Sequence, residues 1–304
     1  MRIDRATITL VPRTTTNCLD LAVMFYGRHL VSILVLWLTV AIPFCAVMYL
    51  AASQEELGGW MAALIVIMAT SPLGVLIGLG AIPVAFGEPF ALRQISQYGL
   101  SQLLRLLRYG MLIRAIIFFG PLLFFLGGGW LIGIGVLLCL FPGCWIAVRQ
   151  GFFVEDACLA PLTERLQGRR IKELVKHEAG ELFLRSLWLF VFCGLLWVVV
   201  FVTIDVACDL FLGFPILLGR VATAVSPLKG IDFFEHMRES ISTMAYMLWY
   251  DPIVLTAIVA TMLLVYPVGR LAWFFCLIDA RVRRDCWDVE LAFVNEATRL
   301  EGPQ

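Results

Sequence analysis

Residues 210–225 read LFLGFPILLGRVATAV. Whether that run crosses a membrane decides the number of spans and the side on which the chain ends. A crossing needs about 20 apolar residues; this run is shorter, is interrupted by Pro215 and carries Arg220. It therefore reads as an interfacial or re-entrant piece within an extracytoplasmic segment, 205–251. Around it six stretches are long and apolar enough to cross: Leu30 to Ala52, Trp60 to Phe86, Tyr109 to Leu126, Trp130 to Val148, Leu182 to Ile204 and Pro252 to Ile278. The predicted fold is an all-α polytopic membrane protein of about six spans, a single membrane domain over 1–304.

Composition agrees. With 61% hydrophobic side chains in 304 residues and a mean hydropathy of +0.90, the chain has more apolar surface than a soluble core of that length encloses. Basic and acidic residues balance at 23 each, so no overall field draws in nucleic acid. Residues 1–29 are polar and lack a small-residue cleavage site, which predicts that the first span serves as the targeting signal. The nine cysteines contain no CxxC pair, which matches neither a zinc site nor a disulfide framework.

The basic residues give the orientation. Eighteen of the 23 fall before the first span, between spans two and three, between four and five, or after the sixth; three (Arg220, Lys229, Arg238) fall on the other side. That bias predicts both termini in the cytoplasm. The remaining two, Arg114 and Arg270, lie inside spans, where a mid-membrane arginine costs about 2.5–3.5 kcal/mol on insertion scales. Their depth near the cytoplasmic ends predicts snorkelling; the alternative is that they face an internal cavity and bind an anion or lipid head group.

Cytoplasmic helices lead into three spans: NCLDLAVMFYGRHLVSILVLW, LSQLLRLLRYGMLIRAIIFFG and GELFLRSLWLFVFCGLLW. With the return spans they suggest three interfacial-helix-plus-hairpin units. In the N-terminal segment, 1–29, Asn17 and Asp20 resemble a capping box. In the cytoplasmic region 149–181 an amphipathic element, 160–186, runs on towards span five, with Ile171, Leu174, Val175 and Leu182 on one face and charges of alternating sign on the other.

Chemistry is sparse. HEAGE at 177–181 resembles the zinc-protease helix, but Glu181 replaces the second histidine, so a hydrolase using His177 is the weakest reading. No phosphate loop or nucleophile elbow is found, and no cofactor or metal site is expected. Span two carries TSPLGVLIGLG, in which Pro72 removes a donor and Gly74 and Gly78 permit close helix approach. A transporter could use the break at Ser71-Pro72 as half a binding site.

The sixth span ends within FFCLIDARVRRDCWDVELAF, 274–293. Val282, Cys286, Val289, Phe293, Ala297 and Leu300 form a helical stripe through the C-terminal segment, 279–304. The ending resembles that of a set of uncharacterised bacterial multi-pass membrane proteins, similar to the membrane domain of some glycerophosphodiester phosphodiesterases. Asp279, Arg281, Arg283, Asp288 and Glu290 match; Leu277-Ile278 replace a preceding aromatic, and Asp285-Cys286 replace the usual Glu-Gly. The resemblance implies a helical membrane domain and carries over no catalytic residue.

The leading expectation is a non-enzymatic accessory or scaffold protein of a bacterial inner membrane. Beyond the lipid bilayer, its partner would be a membrane or cytoplasmic protein at the C-terminal helix. A small transporter or lipid-handling protein is the alternative. Candidate lipid or partner contacts are Arg114, Arg270, Asp279, Arg281, Arg283, Arg284, Trp287 and Asp288.

Overall fold

The computed structural model describes residues 13–54, 58–85, 103–114, 145–146, 148–157, 171–225 and 233–285. Among them the regular structure is helical, with no strand. In chain order the longer helices are α1 (Thr15–Arg28), α2 (Leu30–Ala52), α3 (Gly58–Ala85), α4 (Ile171–His177), α5 (Ala179–Leu212), α6 (Leu218–Val225), α7 (Phe233–Tyr250) and α8 (Pro252–Asp285). Further helical residues lie at 103–114, 145–146, 148–150 and 153–157.

Four helices, α2, α3, α5 and α8, are long and apolar enough to cross a membrane. The first of them has the bounds read from the sequence, and the other three contain most or all of the expected span. Most of expected spans three and four, residues 115–144, lies outside the described residues. Arg185 and Asp205 of α5 bracket a stretch without a charged residue; at 1.5 Å per residue it is about 30 Å long, the thickness of a bilayer's hydrocarbon. The apolar windows of α2 and α5 are only 22% and 11% buried, against 56% and 44% for α3 and α8. The first two thus present mostly apolar exterior, and about half of each of the latter two is interior.

The start of α1 differs from the sequence reading. Thr14 caps it, in an extended conformation, with Oγ1 accepting from the Asn17 backbone N–H at 3.4 Å. The cap is therefore the hydroxyl three residues earlier, which satisfies one of the orphan donors of the first turn. Ile171, Leu174, Val175 and Leu182 are buried, while Glu173 and Lys176 face outward, the expected division of that amphipathic segment.

The chain divides into two compact units, with the boundaries inside α2, α3, α5 and α8. The first contains Met1–Leu36, Ser71–Phe192 and Pro267–Gln304. One of its cores packs Leu36, Val75, Leu79, Leu106 and Val154. Elsewhere in it Phe152 stacks on Trp273 at 4.7 Å, and Phe25 meets Phe275 edge-on at 5.9 Å.

The second unit contains Trp37–Thr70 and Cys193–Tyr266, with a core of Phe201, Ile216, Leu217, Val221 and Val254. Here residues 210–225 fold as a turn and a short helix. After α5 ends, Gly213 adopts φ +63, a left-handed turn that glycine enters without a Cβ penalty. The buried carboxylate of Asp205 then accepts the N–H groups of Ile216, Leu217 and Leu218 at 2.8, 2.9 and 2.9 Å. Those are donors that the start of α6 would otherwise leave unsatisfied. At eight residues, α6 is too short to cross.

Asp251 does similar work before α8, accepting from Ile253 and Val254 and pairing with Arg220 at 2.6 Å. Burial would raise its pKa, but the Arg220 guanidinium and the two backbone donors outweigh that and hold the carboxyl below its ordinary value.

Asp205→Ala strips three buried donors of their acceptor and should destabilise the protein by about 1–3 kcal/mol. Amide exchange should accelerate at 216–218 first; unchanged protection there would refute the capping role. For Asp251 the depressed folded pKa means stability present above the unfolded value and lost as pH falls through the folded one. The advantage of wild type over Asp251→Asn should stay constant down to about pH 3.8 and shrink only below it, as followed by denaturation at stepped pH.

Candidate functional site

Most of the charges singled out from the sequence lie in the first unit, at two levels of α8. At the first level Asp279, whose side chain is fully buried, gathers three elements. Arg185 of α5 reaches it at 2.6 Å, Arg283 pairs with it one turn along α8, and the Arg13 backbone N–H donates to it just before α1. Glu181 bridges Arg185 at 2.7 Å and Arg283 at 2.8 Å, and Glu178 pairs with Arg284. This network joins the start of α5 to the end of α8. Arg281 is buried, Arg283 is about one-third exposed and Arg284 is exposed. Trp287 and Asp288 lie outside the described residues.

At the second level, nine residues before Asp279 and about 13 Å from it along the helix, stands Arg270. The snorkelling expected of it does not occur: the side chain is only 8% exposed, and Nη2 lies 2.6 Å from Oε1 of Glu155, which is fully buried. Its Nε points to the Gly74 carbonyl at 3.4 Å. The physical reason is the partner. A carboxylate within the protein neutralises the guanidinium locally, so the head need not reach water.

Gly78 makes room for this arrangement, since an added Cβ there would lie 3.0 Å from Val154 and 3.3 Å from Arg270 Nη2. The close approach expected from Gly74 and Gly78 is thus used by the segment carrying Glu155 and by Arg270. Nearby on α3, Ser71 is fully buried. A Cβ on Gly110 would meet Ser71 Oγ at 2.6 Å and Arg114 Nη1 at 3.6 Å, which puts Arg114 beside Ser71. Pro72 sits inside a continuous α3 rather than at a break.

Glu155 was not anticipated. It lies in GFFVEDACL, and a carboxylate preceded by Phe, Phe and Val was the available signal. Neither of its oxygens accepts an aligned hydrogen bond among the described residues. The Arg270 contact at 2.6 Å is an ion pair. Among the described residues no group of His, Cys, Asp and Glu is placed to hold a metal.

No protein-family model matches the chain, nor does any curated protein or solved structure.

Within the first level, the buried and the partly exposed partners of Asp279 should differ on mutation. Arg185→Ala removes one partner of a buried pair and should cost about 3–5 kcal/mol. Arg283→Ala removes a partly solvated one and should cost under about 1 kcal/mol. Thermal denaturation in detergent compares them, and equal losses would contradict the burial argument.

Proposed function

We propose that the chain is a six-span protein of a bacterial inner membrane, both termini cytoplasmic, that binds and moves a lipid or small charged solute. Support for the topology comes from the four lipid-length helices, the bias of basic residues and the resemblance of the ending to bacterial multi-pass proteins. The α1 and α4 helices fit cytoplasmic interfacial elements, amphipathic and adjoining the spans.

One observation carries the functional reading: the buried Glu155–Arg270 pair. Ionisable groups among membrane helices are expensive, and those that persist mark ligand or ion pathways by default. As a stability device the pair is a poor choice, because well-packed apolar residues of similar volume do as well or better. A ligand's anionic group can compete for Arg270, and a proton or cation can compete for Glu155; either opens the pair. The scaffold expectation has less support. Past Val282, which is buried, its stripe runs through 286–304, outside the described residues, and the charges Asp279, Arg283 and Arg284 are engaged with Arg185, Glu181 and Glu178.

The test is thermal protection of detergent-solubilised protein by phosphatidylglycerol, phosphatidylethanolamine, phosphate and small carboxylates. Saturable protection by one of these should weaken at least about tenfold, 1.4 kcal/mol, in Glu155→Gln. The double variant Glu155→Leu/Arg270→Met should melt at or above wild type yet show no protection. A double variant that is protected as well as wild type sinks the proposal.

A further inference from the structure

From Met237 onward α7 changes character along its length. Met237, Ile241, Met244 and Leu248 recur at spacings of four, three and four, one apolar stripe of a helix. The second half of the stripe is used within the second unit: Met244 and Leu248, with Met247, pack on the core around Phe201 and Val254. The first half is not, for Met237 and Ile241 are exposed, Ile241 by 61%. Towards its end the helix is apolar on its outer side as well. Tyr246, Trp249 and Tyr250 are exposed there, the two tyrosine rings 5.2 Å apart, and residues 244–250 include no charged side chain.

The place of this end in the unit identifies what covers it. A Cβ added to Gly59 would lie 2.8 Å from Trp249 Cε3, so the indole rests on the backbone at the start of α3. Asp251, directly after α7, caps α8. The aromatic end of α7 therefore stands where two lipid-length helices begin. That is the depth at which Trp and Tyr rings collect in membranes, with the apolar body towards the acyl chains and the polar edge towards water. The earlier turns suit a shallower level. Arg238 and Ser242 are exposed there beside Met237 and Ile241, so one helix shows water a polar side and keeps an apolar side, as a helix lying in a head-group layer does.

We propose that α7 is an interfacial membrane anchor whose exposed apolar surface is covered by phospholipid. Tyr246, Trp249 and Tyr250 sit at the level of the acyl carbonyl groups, and Met237 and Ile241 face lipid from the shallower turns. The inference rests on α3 and α8 crossing a bilayer and is independent of the ligand-handling reading. An exposed apolar surface that continues a packed one marks a binding or membrane surface, and its closeness to the span ends selects the membrane. The anchor holds the segment between α5 and α8 against the bilayer, and with it α6, which packs on α7.

The experiment reconstitutes the full-length protein into vesicles of phosphatidylethanolamine and phosphatidylglycerol. They carry a trace of phospholipid with a photoactivatable diazirine on the acyl chain close to the glycerol. After irradiation, lipid adducts are mapped by mass spectrometry of the digested protein. Val198 and Val202, exposed on α5 near the end that meets α6, serve as the internal reference. The expected result is labelling of Ile241, Tyr246 and Tyr250 to within a few-fold of that reference, and several-fold above Met244 and Leu248 on the packed side. A labelled α5 with an unlabelled α7 overturns the proposal, whether water or a second copy of the chain covers that face. So does equal labelling of the two sides of α7. Labelling of neither helix overturns it together with the membrane topology on which it rests, which separates the two failures.

Discussion

The buried carboxylate of Asp279 is the constraint on which the first unit depends. It receives Arg185 from α5, Arg283 from its own helix and the backbone N–H of Arg13, so three pieces of chain far apart in sequence are fixed at one point. The charge is tolerable only because each approaching group is a donor. In a low-dielectric interior this carboxylate without its buried partner Arg185 would cost several kcal/mol. That requirement sets the register of α5 against α8 in this unit: Arg185 must stand level with Asp279. From Arg185, α5 runs without a charge to Asp205, about the thickness of a hydrocarbon layer.

Deeper along α8 the same physics yields a different result. Arg270 and Glu155 neutralise each other, with Val154 and Gly78 close by. The Gly74 carbonyl, at 3.4 Å from Nε, is a long acceptor by ordinary standards. Replacing Gly78 with any larger residue would crowd both Val154 and the guanidinium, so the helix surface that admits the charge is as specific as the charge.

The four lipid-length helices were legible because hydrophobic length is a local property. The bounds of α2 follow directly from the run 30–52, and the failure of 210–225 to cross follows from its shortness and Pro215. What the sequence hid was pairing. Arg270 looked like a snorkelling residue because its depth can be counted along one helix, whereas Glu155 comes from a segment more than a hundred positions earlier. Asn17 looked like a cap because its spacing to Asp20 fits the pattern, yet Thr14 was equally able and the chain's path favoured it.

Comparing the buried acids among the described residues separates structural from functional charge. Asp205 accepts three backbone N–H groups, and Asp279 two guanidinium groups and one N–H. Each is compensated as a structural carboxylate in an apolar setting must be. Glu155 is as deeply buried, yet it has one ionic neighbour and no aligned donor among the described residues. If its only role were to hold the segment around Val154 to α3 and α8, the packing already supplied by Val75, Leu79 and Leu106 would serve without the desolvation cost. The role proposed above, in which a proton, cation or ligand completes the coordination of Glu155, accords with this difference. That asymmetry among three buried acids places the weight of the functional argument on Glu155 and Arg270.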